Sequence, residues 1–270
     1  MPGPVRESSE DDAVFLHQLD LFTSCSTEKG IELVVLGELI AKLPRRKAFL
    51  DIGAGEGALT VPVSQMFEST TVVEPNPLMA ARFHKRYPEF RVFGCRWESV
   101  DLSEERFDLV LCSHVLYYIP EGTWESVIRK MYSFLAPGGC LAIVLQSPLG
   151  QVATFFNHFA TYDVPILELT GRLIEDYGED SVRLRYFQNQ IRTDTLEDMV
   201  EIGLFLLIDP AFREKRDQIA EYFGEHSRMG NGYALDQDEI LLSVWKGEET
   251  GEKAPDSHAP IFTSISSRLG

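Results

Sequence analysis

One stretch limits what this chain can fold into: Phe49-Leu-Asp-Ile-Gly-Ala-Gly-Glu-Gly-Ala-Leu-Thr60. A short apolar run enters Gly53, Gly55 and Gly57, and a helical pattern leaves them. Glycine lets a backbone turn sharply and approach a ligand closely. In a doubly wound sheet such a loop lies at the carboxyl end of the first strand, where nucleotides bind. Apolar runs at 48–52, 71–73, 91–93, 107–112 and 139–145 alternate with helical patterns at 58–67, 77–87 and 123–135. This alternation predicts an α/β fold, a doubly wound, mostly parallel sheet with helices on both faces.

The flanks read differently. Residues 12–42 carry apolar positions at helical spacing, broken near 24–26, which predicts two helices. Thr27 followed by Glu28 suits the start of the second. Residues 148–235 are irregular, with aromatic clusters (Phe155, Phe156, Phe159, Tyr162; Tyr186, Phe187) and helical patterns near 165–177, 194–203 and 211–224; residues 240–245 read as a last strand. The organisation expected is a helical cap at 1–46, a cofactor-binding core at 47–146, substrate-lid segments and final strands at 147–246, and a disordered tail at 247–270, rich in Gly, Glu, Ser and Pro.

Charge narrows the partners. The 270 residues hold 25 Lys and Arg against 42 Asp and Glu, a formal charge of −17. Nucleic acids and anionic membranes call for a basic face, so neither is an expected partner. A cationic substrate fits. The four cysteines form no Cys-x-x-Cys pair, which points to thiols in a reducing compartment and a cytoplasmic protein. The start of the chain has neither the basic residues nor the apolar run of a secretory signal, and no apolar run is long enough to span a bilayer. A monomer is the default expectation, and no metal is assigned.

Two cofactor classes use such a glycine loop. Gly53, Gly55 and Ala58 satisfy the dinucleotide fingerprint, and Glu74 follows at the distance of the acid that holds a ribose. Three features point elsewhere. Asp51 would face a pyrophosphate, which disfavours its charge, whereas it suits a cationic ligand. A long segment precedes the first strand. Leu135-Ala-Pro-Gly-Gly139 sits between a helix and the fifth strand.

The ordered motifs Asp51-Ile-Gly-Ala-Gly-Glu-Gly57, Val73-Glu-Pro75, Phe107-Asp-Leu-Val-Leu-Cys-Ser113 and Leu135-Ala-Pro-Gly-Gly139 resemble those of the class I S-adenosylmethionine-dependent methyltransferases. The resemblance covers about residues 47–146. It implies a Rossmann-like, seven-stranded sheet and S-adenosylmethionine as cofactor. It further implies that Gly53, Gly55 and nearby backbone hold the methionine portion, with Asp51 near its ammonium and Glu74, followed by Pro75, accepting both ribose hydroxyls. Glu98 and Ser99 would border the adenine, and Ser113 would end the fourth strand at the cofactor.

A second, partial resemblance lies outside these motifs. Phe15, Phe22-Thr-Ser-Cys-Ser-Thr-Glu28 and Val115-Leu-Tyr-Tyr-Ile119 are similar to segments of the histamine N-methyltransferase family. It implies that Glu28 binds substrate and that Phe15, Phe22, Tyr117 and Tyr118 wall the pocket. The chain departs from that family at His114, where a glutamine is usual, and at Gln237 and Asp238, the nearest matches to a late asparagine. His114, at the end of a strand beside the reacting methyl, is the candidate catalytic base. The reading that follows is N-methylation of a small amine or imidazole-type acceptor. The alternatives are O-methylation of a carboxylate or hydroxyl of a natural product or short peptide, a non-catalytic cofactor-binding partner protein, and a nicotinamide oxidoreductase.

Overall fold

The computed structural model describes residues 9–102, 104–160 and 165–248, with side chains from residue 13 onward. The expected disordered tail lies, from residue 249 on, outside the described residues, as does Tyr162.

Two helices open the chain, α1 (Ser9–Cys25) and α2 (Glu28–Ile40). Thr27 occupies the N-cap position of α2, but its hydroxyl turns away and donates to the Gln190 carbonyl. The cap is supplied one residue earlier, where the Ser26 hydroxyl accepts from Glu28 N–H at 3.0 Å. The alternating core follows: β1 (Ala48–Ile52), α3 (Thr60–Ser64), β2 (Ser69–Val73), α4 (Pro77–Arg86), β3 (Arg91–Phe93), β4 (Phe107–Ser113), α5 (Trp124–Ser133) and β5 (Leu135–Gln146). Helix α3 is shorter than the 58–67 pattern predicts. Met66 and Phe67 donate to the carbonyls three residues back, tightened turns that end the helix. Helix α4 begins as chemistry dictates: the Asn76 side chain accepts from Leu78 and Met79 N–H, and Pro77 fills the first turn.

The remaining elements are α6 (Gln151–Phe159), α7 (Ile166–Tyr177), β6 (Val182–Thr193), α8 (Leu196–Leu206), α9 (Arg216–His226), β7 (Arg228–Met229) and β8 (Gly232–Trp245). Sheet order is β3-β2-β1-β4-β5-β8-β6, with short β7 attached to β8. Strands β1 to β5 pair in parallel. Strand β8 runs antiparallel to both β5 and β6. This is the seven-stranded, mostly parallel, Rossmann-like sheet expected, extended by one short strand.

Alternate residues of the central strands feed two cores. Leu50, Ile52, Val110, Cys112, Leu141 and Ile143 pack on the face covered by α5 and α7. Phe49, Leu109, Leu111, Cys140, Ala142 and Val144 pack on the face covered by α2 and α3. Burial on both faces explains why these strands read as continuous apolar runs. A third core joins α1 to α6, α8 and α9 through Phe22, Phe155, Phe156, Met199, Ile202 and Phe223. It forms a helical cap over the carboxyl ends of β1 and β4, where the sheet order reverses. Among the described residues no helix is long and apolar enough to cross a membrane.

Candidate functional site

The loop after β1 leaves the strand in the left-handed region, with φ of +79° at Gly53, +55° at Gly55 and +90° at Gly57. A Cβ on Gly53 would overlap the Val115 side chain, and one on Gly57 would come within 2.6 Å of Phe83. A Cβ on Gly55 would meet no atom within 4 Å. The loop therefore packs tightly at its ends and is open at its centre. Glu74, at the end of β2, is buried and ties this loop down: its carboxylate accepts from Gly55 N–H at 2.7 Å and from Asn76 N–H at 2.8 Å. Burial raises its pKa, and these two backbone donors oppose the rise. Asp51 accepts from the Thr60 hydroxyl at 2.6 Å. Burial first, then the nearby Glu74 charge, push its carboxyl up to about 7, against the Thr60 hydrogen bond.

These residues line one end of a cavity of about 1240 Å³. Sites for a single ligand run to about 300–1,000 Å³, so this one has room for two ligands side by side. Asp51, Gly53, Gly55, Glu74, Pro75 and Glu98 face the first half. Ser99 is exposed and is not part of the wall.

Phe15, Phe22, Tyr117, Tyr118, His114 and Gln237 border the second half, together with Glu28 and Phe156. Phe155 and Phe159, from the same aromatic cluster as Phe156, lie in the cap's core. Asp238 does not join the wall. Successive residues of a strand point to opposite faces, and its carboxylate lies against Gly150 and accepts from the Gln188 side-chain amide. The same alternation brings in Glu239, two residues after Gln237, which the sequence reading missed. Lys29 and Glu32 were missed as well. Glu32 stands four residues after Glu28, one helical turn on, and so shares its face of α2.

The buried carboxylates of Glu28, Glu32 and Glu239 converge on His114. Its Nε2 lies 3.1 Å from Glu239, 3.3 Å from Glu32 and 3.8 Å from Glu28. Lys29 bridges Glu28 at 2.7 Å and Glu32 at 2.8 Å. The Gln237 amide donates to Glu28 at 2.8 Å and to Glu239 at 3.1 Å, and the Ser113 hydroxyl donates to Glu32 at 2.8 Å. Ser113, placed at the cofactor by the sequence, lines the cavity and is tied to this cluster. The Tyr117 hydroxyl accepts from Gln146 N–H and lies 3.4 Å from His114 Nδ1.

His114 is itself strained, a non-glycine residue at φ +55°. Such strain costs about 1–3 kcal/mol and clusters at functional sites. Burial alone would lower its pKa, but the charges of Glu28 and Glu239 outweigh it and raise the imidazole to about 10. Burial and the Glu28 charge push the Glu239 carboxyl upward.

Residues 49–139 match the family model described as "Methyltransferase domain". Over those residues the chain resembles a methyltransferase domain. Solved structures share its fold. A proposed methyltransferase of Bacillus halodurans is 15% identical, aligned over 80% of this chain and 98% of its own, with a TM-score of 0.56. The YcgJ protein of Bacillus subtilis is 17% identical over 79% and 98%, with a TM-score of 0.56. The plantazolicin methyltransferase BpumL, solved with a triazolic desmethylPZN analog and SAH, is 8% identical over 89% and 92%, with a TM-score of 0.55. No curated protein sequence matches the chain. Domains of this class take S-adenosylmethionine, and the first half of the cavity suits it. The open centre at Gly55 leaves space at the loop. Each Glu74 oxygen keeps a lone pair beyond its one backbone donor, and Asp51 lines the same cavity.

Proposed function

We propose that this chain is an S-adenosylmethionine-dependent methyltransferase that methylates a nitrogen of a small molecule, an amine or imidazole-type acceptor. The cluster of buried carboxylates around His114 carries this reading. Three carboxylates face one ammonium and one imidazole, so this end of the cavity favours positive or hydrogen-bond-donating groups. A carboxylate acceptor would add a further negative charge to it, which speaks against O-methylation of an acid.

Bound S-adenosylmethionine supplies a methyl group already activated on a sulfonium for in-line displacement. Gly53, Gly55 and Glu74 would hold it, with Asp51 beside its positive charges. Glu28 and Gln237 would anchor the acceptor, and Phe15, Phe22, Tyr117 and Phe156 would exclude water and align it, the main task left to the protein. Glu28 in this role agrees with the similarity to the histamine N-methyltransferase family. His114 departs from the role expected of it. Flanked by carboxylates, and with no metal bound, its imidazole is raised to about 10 and keeps its proton at neutral pH, so it positions rather than acting as a base. The acceptor nitrogen must then reach the site neutral, its proton having gone to water.

Incubation with methyl-labelled S-adenosylmethionine and parallel panels of amines, imidazoles, carboxylic acids and phenols tests the reading. Label is expected in nitrogen acceptors, with kcat/KM lowered at least tenfold by Glu28→Gln. Label confined to carboxylic acids or phenols would refute it.

A further inference from the structure

We propose that Glu28, Glu32, His114 and Glu239 form a binding site for a divalent first-row transition metal ion. One ligand atom from each of the four lies within 4.8 Å of the others. The distances from His114 Nε2 to the three carboxylates are 3.1, 3.3 and 3.8 Å. Bonds of about 2.0–2.2 Å from imidazole nitrogen and carboxylate oxygen set tetrahedral donors about 3.3–3.6 Å apart. His114 Nε2 thus stands about that far from each carboxylate, and the remaining donor pairs, all within 4.8 Å, would draw in around an ion.

Hydrogen bonding points the same way. With carboxylate oxygens this close, an imidazole N–H would be expected to aim at one of them. Nε2 instead is buried and makes no aligned hydrogen bond, and Glu239 Oε2 is buried with no partner. Glu239 is wholly inaccessible to solvent. Gln237 Oε1 beside them is a third; buried polar atoms are normally satisfied, so these orphans meeting in one cluster mark a missing partner that accepts lone pairs.

Charge gives the ion's valence. Lys29 matches one of the three carboxylates. With a neutral imidazole two negative charges remain, which a dication closes. Without an ion, a proton on the imidazole and another on one carboxylate are needed to balance the cluster, because a buried unmatched charge is costly. One imidazole with carboxylates suits zinc, cobalt, iron or manganese better than calcium or magnesium. The donors come from α2, the end of β4 and β8, so no spacing in the sequence displays them.

Glu28 and His114 also line the cavity, which leaves the ion open on that side. The ion would share Glu28 with an acceptor, so the two would compete. That consequence alone rests on the proposed function; the site does not.

The test is metal binding by the full-length chain, stripped with a chelator and free of cofactor. Zinc chloride is titrated by calorimetry and cobalt chloride by visible absorption near pH 7.5. One saturable ion per chain is expected, with cobalt bands of a nitrogen and oxygen shell and no sulfur charge transfer. The near-isosteric Glu239→Gln variant and the truncating His114→Ala variant, checked for native circular dichroism, should each weaken binding at least tenfold, and His226→Ala should not. If His114→Ala misfolds, Glu239→Gln and the wild-type cobalt spectrum still decide. Absence of saturable binding, a thiolate spectrum, or full affinity in the folded variants would overturn the proposal.

Discussion

Replacing Gly53 with alanine should cost about 2–5 kcal/mol of stability, and a partner mutation should return part of it. The residue sits at φ +79°, where a Cβ adds about 1–2 kcal/mol. Its Cβ would also overlap Val115 Cγ2, and forcing extra atoms into a packed site adds about 1–3 kcal/mol. Val115→Ala removes the obstructing methyls and alone should cost about 1–2 kcal/mol, at about 0.8 kcal/mol per buried carbon. In the double variant the overlap is gone but the backbone strain stays. It should therefore be more stable than the sum of the single losses by about 1–3 kcal/mol, a coupling that a double-mutant cycle reads directly. Gly55→Ala is the control: at φ +55° with no atom within 4 Å of its Cβ, it should lose only the backbone part, about 1–2 kcal/mol. Urea unfolding of the four variants and wild type gives every number. Strict additivity, or a Gly55→Ala loss as large as that of Gly53→Ala, would refute the view that Val115, next to His114, locks the cofactor loop against the acceptor turn.

Other consequences are open to simple assays. Because Asp51 titrates near pH 7 when folded and near 3.8 when unfolded, the native state holds the extra proton between those values. Its contribution to stability is therefore full below pH 3.8 and lost as pH rises toward 7; Asp51→Asn should flatten that part of the unfolding profile, and an unchanged slope would count against the shift. The ionised form should favour the cationic cofactor, so affinity for S-adenosylmethionine relative to S-adenosylhomocysteine should rise from pH 6 to 8 in wild type and not in Asp51→Asn, as calorimetry would show. Lys29→Met strands two buried carboxylates and should cost about 3–5 kcal/mol. Arg172→Ala, which breaks exposed pairs with Glu125 and Glu168, should leave stability nearly unchanged; equal losses in urea would contradict this ranking.

The sheet and its cofactor edge were legible because their signals are local. Runs buried on both faces, glycines at positive φ and an acid ending β2 all fall within short windows. Strand β6 was not, since it alternates buried and exposed residues at a sheet edge, and Tyr186, noted only as an aromatic, stands half exposed there. The carboxylate cluster was half legible. Glu28, His114 and Gln237 were singled out, whereas Lys29, Glu32 and Glu239 required knowing that α2, β4 and β8 meet. Applied strictly, strand alternation would have exchanged Asp238 for Glu239, and helical spacing would have added Glu32. The protonation of His114 could not be read, because it follows from carboxylates distant in sequence.

The central claim is that the glycine loop and Glu74 hold S-adenosylmethionine rather than a dinucleotide. Calorimetry with S-adenosylhomocysteine and NADH in parallel, on wild type, Glu74→Gln and Glu74→Ala, tests it most directly. Hydrogen bonds to a charged group contribute about 1.5–3 kcal/mol each, so binding of S-adenosylhomocysteine should weaken at least tenfold in Glu74→Ala, and NADH should not bind. Tight binding of NADH with none of S-adenosylhomocysteine would contradict the account.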